Sequence, residues 1–133
     1  MAEPVSDLPT LLRTLRPVLN PGVFVFCVLP PGAAVDAVVT VREPEGVTAV
    51  VPEEVAAAHG LTPTFRAAWI TLSVTSDLAA VGLTTAVAAA LAADGIACNV
   101  VAGVFHDHLF VPADRAGDAV AALERLAAAH AAG

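Results

Sequence analysis

Two segments of this chain share one plan: Thr48-Ala49-Val50-Val51-Pro52-Glu53-Glu54 and His108-Leu109-Phe110-Val111-Pro112-Ala113-Asp114. In each, an apolar run stops at Val-Pro and opens onto an acidic turn. Proline has no amide donor and a fixed φ, so it suits the first turn of a helix and ends a central strand. Upstream of each segment lie a helical pattern, a glycine (Gly22 or Gly95) and an apolar strand. The chain therefore reads as two copies of a helix, strand, strand, helix unit, with an extra strand in the first copy.

The remaining punctuation fits that reading. Ser6 or Asp7 can cap a helix over Leu8–Arg16, which Pro17 and Asn20-Pro21-Gly22 end. Val23–Leu29 is apolar throughout, as in a strand buried on both faces. Val35–Val41 and Val47–Val51 read as paired strands around Arg42-Glu43-Pro44-Glu45-Gly46, and Pro52–Ala58 as a short helix. Trp69, Thr71 and Ser73 alternate with Ala68, Ile70, Leu72 and Val74, the period of a half-buried strand. Ser76-Asp77 should start a helix over Leu78–Ala93, followed by strands over Ile96–Ala102 and His106–Val111 and a helix over Asp114–Ala131. Six strands do not make two complete four-stranded sheets, so either the lobes share one sheet or two chains pair edge to edge. A homodimer is expected.

Composition narrows the function. The hydrophobic share is 57%, but charges and prolines interrupt every long apolar stretch. The longest early helix falls short of the roughly 20 residues that span a bilayer, so no membrane association is expected. No basic region precedes an apolar core at the N-terminus, and a cytoplasmic location follows by default. All six basic residues are arginines against a net charge of −7, a poor means of neutralising phosphates, so nucleic acid is not an expected partner. Cys27 and Cys98 both fall in apolar runs, where reduced, buried thiols are the common outcome.

Two regions hold polar residues where ligand chemistry is possible. The first is the strand-to-helix turn Thr75–Thr84. Unpaired helix amides can receive a carboxylate, Asp77 can receive an ammonium or guanidinium group, and Gly82 allows close approach. An amino acid carries both charges. The same residues also suit plain capping by Ser76 or Asp77 and plain packing by Gly82. The second region is Asn99–His108, where Gly103 joins two strands and His106 and His108 share a face with Asp107 pointing away. Two histidines do not make a metal site without a third ligand, and hydrogen bonding across the hairpin is the simpler role. No metal or cofactor is expected. Arg42, Glu43 and Glu45 read as a solvated brace of their turn.

Three motifs, Arg42–Thr48 (REPEGVT), Ser73–Val87 (SVTSDLAAVGLTTAV) and Cys98–Pro112 (CNVVAGVFHDHLFVP), occur in one order. Together they resemble a bacterial ACT-like domain family, formerly described as a domain of unknown function, over roughly Asp7–Leu126. The resemblance implies an α+β fold: a ferredoxin-like ACT-type sheet with helices on one face, in two tandem lobes, here 1–65 and 66–133. It implies a non-catalytic regulatory role without catalytic residues. In ACT-type regulators the strand-to-helix turn lines an effector site at a domain interface, which maps here to Ser76, Asp77, Ala80, Val81, Gly82 and Thr84. Asn99, Gly103, His106, Asp107 and His108 complete the candidate ligand set. Thr75 stands where the family often has histidine, and Val104 replaces an aromatic before the His-Asp-His triplet.

The leading expectation is a module that binds a small metabolite, an amino acid, near a lobe or subunit interface. The alternative is a ligand-free dimerisation or protein-interaction module. An enzyme is disfavoured, because the serine, histidine and aspartate residues form no nucleophile elbow and no phosphate loop, and adjacent His106 and Asp107 point to opposite faces of a strand.

Overall fold

The computed structural model describes residues 7–74 and 77–131. In chain order the elements are α1 (Leu8–Thr14), β1 (Pro17–Leu19), β2 (Phe24–Leu29), β3 (Val39–Glu43), β4 (Gly46–Pro52), α2 (Glu53–Ala58), β5 (Phe65–Leu72), α3 (Leu83–Ala93), β6 (Asn99–Ala102), β7 (Asp107–Pro112) and α4 (Ala116–Ala131). A single 3₁₀ turn, Ala113–Arg115, leads into α4.

One antiparallel sheet serves both copies of the repeat, in the order β3-β4-β2-β5-β7-β6. Its centre is β5. On one edge β5 takes β7, and on the other it takes β2 over Phe65–Ala67 and β1 over Ile70–Leu72. Thus β1 and β2 form one interrupted strand. Asn20-Pro21-Gly22 makes the break, with Gly22 at φ 96, and the register slips by two residues there, from Pro17↔Leu72 to Phe24↔Ala67. The sequence marks this segment as a breaker, and its continued pairing with β5 becomes visible only in the register.

The register also fixes the two faces. Val25, Cys27, Ala49, Val51, Ile70 and Leu109 point one way, and the helices cover them. Leu11 and Leu15 around α1, Leu91 of α3 and Leu123 of α4 are fully buried in a single core. Each such side chain contributes roughly 1.5–3 kcal/mol of transfer free energy. Phe24, Phe26, Trp69 and Phe110 point the other way, and Phe110 is 0% exposed although no described helix lies over it. The sheet curls around this cluster, and edge-on contacts at 5.3 Å (Phe24 with Trp69) and 5.6 Å (Phe26 with Phe110) fill the concavity.

Local chemistry sets the helix limits. The Asp7 carboxylate caps α1 by accepting the Thr10 amide at 3.1 Å. Gly95, at φ 70, ends α3: its amide reaches the Ala92 carbonyl while that of Ile96 reaches Leu91, satisfying two late carbonyls. The other end of α3 corrects the sequence expectation. The helix begins at Leu83 rather than Leu78, because Gly82 sits at φ 102 and the helical path cannot run through it. Strands expected from Val35 and Ile96 begin at Val39 and Asn99. Val35 packs on the α2 side of the core, and Ile96 packs beneath α3.

Among the described residues no helix is long and apolar enough to cross a membrane.

Candidate functional site

Ahead of α3, Asp77–Ala80 form a tight turn. Asp77 Oδ1 accepts the Ala79 amide at 2.9 Å and the Asp77 carbonyl accepts that of Ala80 at 2.8 Å, so this carboxylate organises its own turn rather than capping α3. The cap position of α3 belongs to Gly82, which has no side chain to offer, and the first intrahelical bond runs from the Ala86 amide to the Gly82 carbonyl. The preceding amides of α3 therefore lack intrahelical acceptors and form the positive end of the helix.

Beside this helix start is a small recess of about 60 Å³ lined by Asp77, Leu78, Ala80, Leu83, Thr84, Ala102 and Asp107. Asp107 enters from the first position of β7 and is only 8% exposed. Two carboxylates and a helix N-terminus thus meet at one corner, with no basic side chain in its lining. Such a corner offers acceptors to a cation and backbone donors to an anion. Its volume suits a water molecule or two, whereas small-molecule pockets start at roughly 300 Å³.

The structure brings together only part of the expected set. Asp77, Ala80, Thr84 and Asp107 line the recess; Val81 is 83% exposed beside it. The space next to Gly82 is taken by α1, since a Cβ there would stand 2.9 Å from Leu8 Cδ2. Ser76, and Thr75 before it, lie outside the described residues. Leu78, Leu83 and Ala102 were not anticipated as lining. Their apolar side chains carry no chemical signal; the pairing Ala102↔Asp107 places Ala102, and the recess itself places Leu78 and Leu83.

The second expected region lies largely across the sheet. Asn99, opposite Phe110 in the register, and His108 share the face away from the helices. Trp69 Nε1 donates to His108 Nδ1 at 3.1 Å, Thr71 Oγ1 lies 3.3 Å from the same nitrogen, and Asn20 Nδ2 donates to Thr71 Oγ1 at 2.9 Å. An indole only donates, so His108 Nδ1 is the acceptor and the neutral ring carries its proton on Nε2. Burial, and secondarily the nearby His106, hold the His108 pKa below its ordinary value, with Asp107 opposing. His106 Nδ1 is buried with no hydrogen-bond partner among the described residues. Gly103 is close-packed beneath this hairpin: a Cβ there would meet the His106 carbonyl at 2.8 Å and His108 Nε2 at 3.3 Å. The alternation of Trp69 and Thr71 along β5 is the sequence signal for this network, and Asn20 is the member the sequence reading did not include.

Among the described residues no three His, Cys, Asp or Glu side chains gather as metal ligands. Both cysteines are free, and burial pushes the Cys98 thiol up to about 11, which suppresses thiolate chemistry.

A sheet shared by two repeats, with the helices on one side and a strand-to-helix corner holding two acids, defines a paired ferredoxin-like module. Two ACT domain models match this chain, over residues 3–68 and 64–125. A Vibrio cholerae protein of unknown function, described as a possible transport protein, is 42% identical, with 90% of this chain and 95% of that one covered and a TM-score of 0.81. A protein from Agrobacterium tumefaciens (18% identity, 85% and 89% covered, TM-score 0.62) shares the fold. So does the regulatory subunit of aspartate kinase from Thermus flavus (15% identity, 84% and 96% covered, TM-score 0.58). No curated protein matches the chain. The chain belongs to the ACT domain family, as two tandem ACT domains. ACT domains are regulatory modules, and this chain is a regulatory ACT module in that general sense.

Proposed function

We propose that this chain is a cytoplasmic, non-catalytic sensor that binds an amino acid at the corner between α3 and the β6–β7 hairpin, and that a second copy of the chain completes the site. The observation that carries the reading is the meeting of Asp77, Asp107 and the first turn of α3 (Leu83, Thr84) at one recess. The acids suit an α-ammonium group and the amides an α-carboxylate. The lobes 1–65 and 66–133 are the units whose relative packing the ligand would adjust.

The size of the recess argues for the second copy. About 60 Å³ cannot enclose an amino acid, but the surroundings suit a protein contact. Leu78, Val81, Val104 and Phe105 are 62%, 83%, 66% and 55% exposed on the loop and hairpin turn beside it, and β6 ends the sheet with an unpaired edge.

An amino-acid screen by thermal shift tests the proposal. A ligand at a hundred times its dissociation constant adds about 2.7 kcal/mol of stability, and Asp77→Asn should remove that shift. A screen in which no amino acid or related metabolite moves the melting point defeats the reading. The small volume favours one alternative, a ligand-free dimerisation module, for which sizing would give a clean dimer with no ligand response.

A further inference from the structure

A separate cavity of about 330 Å³ lies between the end of α1 and the C-terminal half of α4, far along the chain from the α3 corner. It exists because α4 presents alanines there. Ala128 and Ala131, one helical turn apart, leave open the space that larger side chains would fill, with Pro17 and the buried Leu15 forming the apolar floor. Arg13 and Arg16 stand on its rim with Glu124.

Three of the six arginines have no ion pair among the described residues: Arg42 on β3, and Arg13 and Arg16 at this groove. Arg66, Arg115 and Arg125 are each ion-paired, with Glu53, Asp118 and Asp94. Arg13 donates to Thr10 Oγ1 at 3.3 Å and Arg16 to the carbonyl of Leu15 at 2.7 Å; neither has a carboxylate within ion-pairing distance among the described residues, and Arg13 acts on Asp7 only as a charge that, behind the Thr10 hydrogen bonds, helps to lower its pKa. Glu124 lines the same cavity without reaching either. A chain with 13 acidic and 6 basic residues thus keeps two guanidiniums without an ion pair among the described residues at one apolar groove. Guanidinium is the side-chain group best matched to a carboxylate, through paired N–H donors.

We propose that this groove binds a small aliphatic carboxylate, its anionic end between Arg13 and Arg16 and its hydrocarbon end on the Leu15, Pro17 and alanine floor. A bare inorganic anion would leave the floor wet, and a neutral hydrocarbon would leave the arginines unused. The volume, near the lower end for ligand sites, fits a branched acid of about five carbons. The site is independent of the α3 corner, because the ligand needs no ammonium group.

The test is an NMR titration of the full chain with isovalerate, with acetate and isoamyl alcohol as probes lacking the hydrocarbon and the charge respectively. Isovalerate should give saturable shifts at Leu15, Ala127, Ala128 and Ala131, acetate markedly weaker ones and the alcohol none. Arg16→Gln should weaken binding roughly tenfold or more, and Ala128→Leu, which fills the groove, should abolish it while the melting point stays near that of the parent. Three results overturn the proposal: no saturation, equal responses to acetate and isovalerate, or isovalerate shifts that survive Arg13→Gln/Arg16→Gln. If the arginines serve only to offset the negative end of α4, their replacement lowers the melting point and no probe gives saturable shifts. Shifts confined to residues 77–84 would also overturn this site, whereas failure of the amino-acid screen leaves it untouched.

Discussion

Leu8 of α1 occupies the space that a side chain on Gly82 would need. An added Cβ would lie 2.9 Å from Leu8 Cδ2, and the backbone there is left-handed at φ 102. Gly82→Ala combines both penalties, a conformational one of about 1–2 kcal/mol and a steric one. Thermal or urea unfolding should show a loss of about 1–3 kcal/mol, with Leu8→Ala in the same chain relieving the steric part. A neutral Gly82→Ala would contradict the geometry of this helix start.

Asp77→Ala should cost under about 1 kcal/mol, since the carboxylate is exposed and holds only its own turn. The same variant should erase any amino-acid-dependent rise in melting temperature. A large loss of stability without ligand would instead mean that Asp77 supports the fold more broadly than its one amide contact indicates.

His108 should make stability fall on mild acidification. Its folded pKa lies below the ordinary 6.5, so above about pH 6.5 it is neutral in both folded and unfolded chains and its contribution is fully present. As pH drops below 6.5 toward the lowered folded value, the unfolded chain takes up a proton that the folded chain resists, and stability is lost. Melting temperatures between pH 8 and pH 5 should decline less steeply for His108→Gln than for the parent. Nitrogen NMR at neutral pH should find the proton on Nε2.

Cys98 should be a sluggish thiol. With its pKa raised to about 11 by burial, little thiolate exists at pH 8, and an aromatic disulfide reagent should label it far more slowly than a denatured control. Rapid labelling in the folded protein would show that the segment leading into β6 opens readily.

Phe110→Ala should cost about 3–5 kcal/mol, as much as a change beneath the helices. Phe110 is fully buried on the helix-free side through Phe24, Phe26, Trp69 and the curl of the sheet. A loss under about 1 kcal/mol, read from urea unfolding, would mean that this side is loosely packed.

The sequence reading recovered the α+β class, the repeat and the helix sides of the Val-Pro junctions, because proline, glycine and alternating apolar residues act locally. Pro52 and Pro112 do end strands and precede helical turns. It misplaced the start of α3 because Leu78–Leu83 is apolar enough to pass for helix, and Gly82 exerts its effect through a positive φ that composition does not encode. It read Pro17 as the breaker of a helix over Leu8–Arg16 and gave Pro17–Leu19 no strand, because three residues carry no periodicity; their strand identity comes from β5, more than fifty residues later. The candidate site divided for the same kind of reason. Asp107 and His108 are neighbours in the chain, yet the pleat sends one to the helix-covered recess and the other to Trp69.

The two repeats cannot be pulled apart like beads. Leu11 and Leu15, from the first repeat, are sealed into the same core as Leu123 and Ala127 near the far end of the second. Synthesis must reach the last helix before that interior can close, and a fragment cut between the repeats would carry an unfilled half. A substitution that loosens this interior in one repeat therefore loosens its partner as well.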